Sequence, residues 1–178
     1  MSSWRLLSLL LQYPDEELLD LGDELPGWMR DAALPELQAL YVRTFDFDRR
    51  ATLHLTYHTH GDRRQRGLEL VKLKRRYAEA GLPLTGDELP DYLPVVLEFA
   101  ALSPSYGAQL LTEFRTPIEL VRSRLHQTDS PYAGLLDALA TALPRPTRAQ
   151  IAAARKLAEE GPPTELVGLE PFAAEAAS

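Results

Sequence analysis

The sequence predicts an all-α, single-domain helical bundle. Apolar residues recur at the 3.6-residue period along nearly the whole chain, and no stretch sustains the period-two alternation of a half-buried strand. Prolines and glycines fall between the periodic runs, where they stop helices rather than break them. The 178 residues, 45% hydrophobic and 25% charged, suffice to bury one proper core.

Trp4 to Gln12 forms an apolar first helix, stopped by Tyr13-Pro14. Its apolar stretch is short, carries one Arg and runs into acidic residues. It is therefore read as a helix of a cytoplasmic protein and not as a signal peptide. Asp15 can cap a second helix whose buried side is Leu18, Leu19 and Leu21. Pro26-Gly27 and Pro35 punctuate the next stretch, because the residue before a proline is pushed out of the α region. From Pro35, the residues Leu37, Leu40, Tyr41, Thr44 and Phe45 make an aromatic–aliphatic stripe on one helix face. A turn over 46–50 leads to a short apolar segment ending at Gly61. Asp62 can cap the next helix, with Leu70, Leu73 and Tyr77 inward and Gly81 as its C′ residue. After LPLTGDELP, Leu93, Val96, Leu97 and Ala100 define another helix with Pro94 in its first turn, where a missing N–H breaks no intrahelical bond. Further helices are expected at about 106–115, 117–127, 132–143 and 148–160. The last starts with Thr147 and Gln150 at capping-box spacing. Residues 1–160 are read as the folded domain and 161–178 as a mobile Ala/Pro-rich acidic tail.

Charge is segregated. Residues 1–48 carry 3 basic and 10 acidic side chains, residues 49–76 carry 9 and 2, and residues 77–178 carry 7 and 14. A basic island of +7 thus lies between two flanks of −7, and the whole chain is −7. That balance excludes general nucleic-acid binding, which depends on phosphate neutralisation. The island is a solvated helix face paired with acidic neighbours, or a surface for a charged partner. Absence of cysteine removes disulfides, thiolate chemistry and the usual iron–sulfur ligands. No apolar run approaches the ~20 residues needed to span a bilayer.

Catalytic signatures are missing: there is no glycine-rich phosphate cradle, no HExxH and no G-x-S-x-G. Two constellations remain. His54 and His58 are four apart, hence on one face if helical, with His60, Asp62 or His126 as a further ligand for a metal-dependent enzyme; the alternative is histidines packed between helices. In ELPDYLPVVLE, Asp91 and Glu98 share a face but are separated by roughly 10 Å of helix rise, too far for convincing paired-carboxylate catalysis. Asp91 can cap its helix while Glu98 meets a basic neighbour. Alternatively, Glu88, Asp91 and Glu98 make an acidic rim beside Tyr92 for an Arg- or Lys-bearing peptide helix. Tyr41 and Phe45 are read as core, or as a groove edge at which the Tyr41 hydroxyl is wet and its ring dry.

ELPDYLPVVLEFAA (88–101), preceded by YVRTFDFDRRATLHLTYHTHGDRRQRG (41–67), resembles the nitrate reductase molybdenum-cofactor assembly chaperones. These form the NarJ (delta-chain) family within the TorD/DmsD group of redox-enzyme maturation proteins. The resemblance implies a TorD-like helical bundle that is cytoplasmic and non-catalytic, with no resident metal or cofactor. It implies binding to the apo catalytic subunit of nitrate reductase, including its N-terminal segment, so that cofactor insertion precedes membrane attachment. On this sequence the group's acidic element falls on Glu88, Pro90, Asp91 and Tyr92, the last replacing the common His. Its aromatic element falls on Tyr41 and Phe45, with Thr44 replacing an aliphatic residue. Client binding is accordingly expected of Tyr41, Phe45, Glu88, Pro90, Asp91, Tyr92 and Glu98. Homodimerisation stays open, as does a different client such as a dimethyl sulfoxide or selenate reductase.

Overall fold

A computed structural model of the chain describes residues 2–61, 64–161 and 163. Among these residues the elements are α1 (Ser3–Leu10), α2 (Glu16–Leu19), a 3₁₀ turn (Gly22–Glu24), α3 (Gly27–Arg30), α4 (Leu34–Tyr41), a π-helical turn (Val42–Asp46), α5 (Leu55–His60), α6 (Arg64–Glu79), α7 (Leu93–Leu102), α8 (Pro104–Glu113), α9 (Arg115–Gln127), α10 (Ala133–Ala142) and α11 (Arg148–Glu160). The all-α class holds: the described residues contain no strand, only an isolated antiparallel bridge between His54 and Tyr92.

The helix α7 lies at the centre. Leu93, Val96, Leu97 and Ala100 are fully buried, as their spacing predicts, with α1 packed on one side and α8 on the other. The crossing with α8 is tight enough to require glycine. A Cβ on Gly107 would stand 2.2 Å from Ala100 Cα. The second layer is α9, which receives α10 and α11. Arg122 of α9 ties the first of these down through Asp137 at 2.9 Å.

Helix ends follow local chemistry. Asp15 accepts from the Leu18 N–H at 3.0 Å, and Glu36 from the Ala33 N–H at 3.1 Å. Thr147 and Gln150 complete the expected reciprocal capping box at 3.1 and 2.9 Å. α6 ends in a Schellman motif: the Leu82 N–H bonds to the Tyr77 carbonyl and the Gly81 N–H to the Ala78 carbonyl, with Gly81 at φ 78°.

Two expectations need correction, and one open choice is decided. Of the α2 apolar residues only Leu18 is buried; Leu19 is 41% exposed because the helix lasts four residues before the chain turns. Leu70 is half-buried, leaving Leu73 and Tyr77 as the buried side of α6. For Tyr41 the core reading holds and the groove-edge alternative does not: it is 5% exposed with its hydroxyl inside. The Asp62 cap, and the 161–178 tail apart from Gly161 and Pro163, lie outside the described residues.

Candidate functional site

Two segments far apart in sequence, 52–58 and 89–93, lie side by side. The Leu55 N–H donates to the Asp91 carbonyl at 3.0 Å and the Leu93 N–H to the Leu53 carbonyl at 2.9 Å, which makes the His54–Tyr92 bridge. Asp91 therefore does not cap α7 and does not stand on a rim. Its carboxylate has no exposed surface. Oδ2 accepts from the Thr56 N–H at 3.2 Å, from the Thr56 hydroxyl at 2.5 Å and from Arg66 Nη2 at 3.4 Å. Oδ1 faces His54 Nδ1 at 3.5 Å. Burial alone would raise the carboxyl pKa; the nearby His54 ring, the hydrogen bonds from Thr56 and the Arg66 charge outweigh it and hold it below its ordinary value.

Among the described residues the histidines are not arranged as a metal site. His54 is the N-cap of α5 in an extended conformation, so the i, i+4 premise fails, and its ring stacks on Tyr92 at 5.2 Å. His58 is buried, its Nε2–H donating to the Thr52 carbonyl at 2.9 Å, and burial lowers its pKa. Among the described residues no group of three His or carboxylate side chains is placed to hold an ion.

Tyr41, Phe45 and Tyr92 do come together. The Tyr41 and Tyr92 hydroxyls are 2.6 Å apart, and each lies 3.4 Å from the Leu11 carbonyl at the end of α1. One hydroxyl donates to the other, which donates to the carbonyl. Burial pushes the Tyr92 pKa up to about 12 and that of Tyr41 higher, so both stay protonated. The π-helical turn carries Phe45, 4% exposed, against Tyr132 at 4.9 Å between ring centroids.

The 89–93 segment is bonded to residues of two depressions, to Tyr77 of one and Arg66 of the other. One is a groove of about 360 Å³ between the 82–88 loop and α7, lined by Leu82, Leu84, Val95, Phe99 and Leu102, with Glu88 and Glu98 at its edge. Tyr77 forms part of its floor, packs on Phe99 at 4.6 Å and donates its hydroxyl to the Pro90 carbonyl at 2.6 Å. Glu98 meets Arg5 of α1, the basic neighbour expected of it. The other is a cleft of about 300 Å³ lined by Phe45, Asp46, Arg49, Thr52, His54, Tyr57 and Arg66. The expected site residues thus divide: Glu88 and Glu98 line the groove, Phe45 lines the cleft, and Pro90 and Asp91 are bonded to one residue of each, while Tyr92 is bonded to Tyr41. Sequence reasoning missed Arg66, Thr56 and the apolar groove wall; the proline-bracketed LPLTGDELP was the available signal for the wall.

The decisive match runs over residues 11–138, which fit the profile of the nitrate reductase delta subunit family. The chain belongs to that family. It is 39% identical over 160 residues to a probable nitrate reductase molybdenum cofactor assembly chaperone, NarJ, of Bacillus subtilis, covering 77% of this chain and 85% of the relative. It is 34% identical over 156 residues to the nitrate reductase molybdenum cofactor assembly chaperone NarJ of Escherichia coli K12, covering 75% of this chain and 66% of the relative. A nitrate reductase-like protein, NarX, of Mycobacterium tuberculosis is 38% identical over 146 residues, which are 73% of this chain and 22% of that longer one. Delta-subunit membership places the chain among assembly chaperones and not among catalysts. No described helix is long and apolar enough to cross a membrane.

Proposed function

We propose that this delta-family chain is a cytoplasmic chaperone that binds the apo catalytic subunit of a respiratory nitrate reductase. It holds that subunit ready for molybdenum-cofactor insertion before membrane attachment. The N-terminal segment of the client sits in the groove beside α7. The observation that carries this reading is the groove itself: aliphatic and aromatic walls with two carboxylates, Glu88 and Glu98, at the edge. An amphipathic helix with an apolar face and a flanking Lys or Arg satisfies both features. The buried residues Tyr41, Pro90 and Asp91 and the half-buried Tyr92 act by holding the strand beside the groove, and Phe45 by packing behind it. Residues 1–160 constitute the chaperone domain.

The test is calorimetric titration with a peptide copying roughly the first 30 residues of the co-encoded catalytic subunit, long enough for several helical turns. Saturable binding at micromolar affinity or tighter is expected, weakened by Leu102→Asp and by Glu88→Lys. Absence of binding by a folded protein would sink the groove assignment. Tighter binding of the corresponding peptide from another molybdoenzyme would reassign the client.

A further inference from the structure

The two carboxylates of the groove are not equivalent. Glu88 is exposed on the 82–88 loop, and among the described residues no cation is paired with it. Glu98 lies on α7 among Val95, Phe99 and Leu102, the other residues this helix gives to the groove. The four recur at i, i+3, i+4 and i+7, so Glu98 is the one charged residue in an otherwise apolar stripe. A guest lying along that stripe takes the carboxylate out of water, which is costly unless a cation goes with it. The fold already supplies one. Arg5 of α1 pairs with Glu98 through Nη1 and Oε1, the two side chains being 39% and 44% exposed. Packed structure delivers it. Ser8, three residues on, donates its buried hydroxyl to the Pro94 carbonyl at 2.8 Å, so α1 runs antiparallel along α7 in a fixed register. At the start of α1 the Ser2 hydroxyl accepts from the Arg5 N–H at 3.3 Å.

We propose that Arg5 is a specificity-determining residue of the groove. It satisfies Glu98 from within the fold, so that an apolar face of the guest is accepted over the α7 stripe and its cation is directed to Glu88. The inference rests on the groove being the client site and deepens that reading by naming which carboxylate reads the client's charge. A Lys or Arg of the guest that reaches Glu98 must first displace Arg5, a competitor tethered at high effective concentration. A neutral guest side chain displaces nothing and leaves the ion pair closed beneath it. The pair contributes little to folding, since both side chains are more than a third exposed. Its effect emerges when a guest excludes water from it.

The full chain is titrated calorimetrically with the peptide copying the start of the catalytic subunit, and with the same peptide carrying Gln at every Lys and Arg. The quantity read is the ratio of the two affinities. Arg5→Gln is expected to raise the preference for the cationic peptide about fivefold, because Glu98 becomes a second open carboxylate. Combining Arg5→Gln with Glu98→Gln should return the ratio to its wild-type value. Lys156→Gln, the same charge change on exposed α11, should leave it unchanged. The role of Arg5 is overturned, with the groove reading intact, if wild-type protein binds the cationic peptide but the ratio ignores Arg5→Gln. It is equally overturned if the double variant keeps the gain or Lys156→Gln reproduces it. If the folded wild-type protein binds neither peptide, the groove reading itself falls and the role of Arg5 with it.

Discussion

Asp91 carries a carboxylate with no exposed surface that accepts two hydrogen bonds from Thr56 and one from Arg66. Removing one partner of such a buried arrangement leaves the others uncompensated, so Asp91→Ala should cost about 3 kcal/mol of unfolding free energy at pH 7. Urea denaturation measures it. Because the folded-state pKa lies below the unfolded value, this contribution is present above pH ~4 and is lost as the pH falls further. His58 titrates in a different window. Its pKa is lowered by burial, so its neutral form stabilises the fold fully above pH ~6.5 and less as the pH falls below that. The melting temperature should therefore drop between pH 7 and 5, and His58→Gln should flatten that slope; an unchanged slope would refute the assignment. The sequence made residues 88–92 and the Tyr41/Phe45 stripe stand out. It did not reveal that Asp91 points inward, since its partners are 35 and 25 residues away and no local spacing encodes them. The sequence left Tyr41 between core and groove edge for the same reason, the neighbours of its hydroxyl being Leu11 and Tyr92.

Among the elements, the helices with a strong periodic face were legible: α4, α7 and α9 to α11 fall within a few residues of their expected bounds. Short ones were not, because four residues of α2 cannot express a period and tertiary contact decides which leucine is buried. The π-helical turn after α4 was also invisible, since no residue type in VRTFD demands it. Glycines sort by their surroundings. Gly107→Ala would drive a methyl into Ala100 at the α7–α8 crossing and should destabilise by about 1–3 kcal/mol. Gly67 lies within α6 with nothing within 4 Å of the place a methyl would take, so Gly67→Ala should stabilise by about 0.5–1 kcal/mol. Opposite shifts of the denaturation midpoint check the pair. Gly61 is constrained twice over, by φ 58° and by the Pro163 carbonyl, which a Cβ would meet at 1.8 Å. Pro163 thus sits directly over the end of α5, a contact that composition gave no reason to expect.

Over the whole molecule, charge segregation resolves into local pairing more than into one bare surface. Arg76 reaches Glu113 of α8 through two bonds of 2.6 and 2.9 Å, Arg66 reaches Asp91, and Lys72 and Arg75 pair within α6. What remains polarised is the contrast between an acidic-edged groove and a donor-rich cleft. Client-peptide affinity in the groove should fall as salt rises, and Glu88→Gln should reduce that dependence; titrations at two ionic strengths test both. The strand bonded to both depressions has a thermodynamic corollary. Pro90 holds Tyr77 of the groove floor and Asp91 holds Arg66 of the cleft, one peptide bond apart. A guest in one depression that displaced this strand would move groups lining the other. Whatever factor one guest imposes on the affinity of the second, the second returns to the first, so loading and release of the two become a single reciprocal equilibrium.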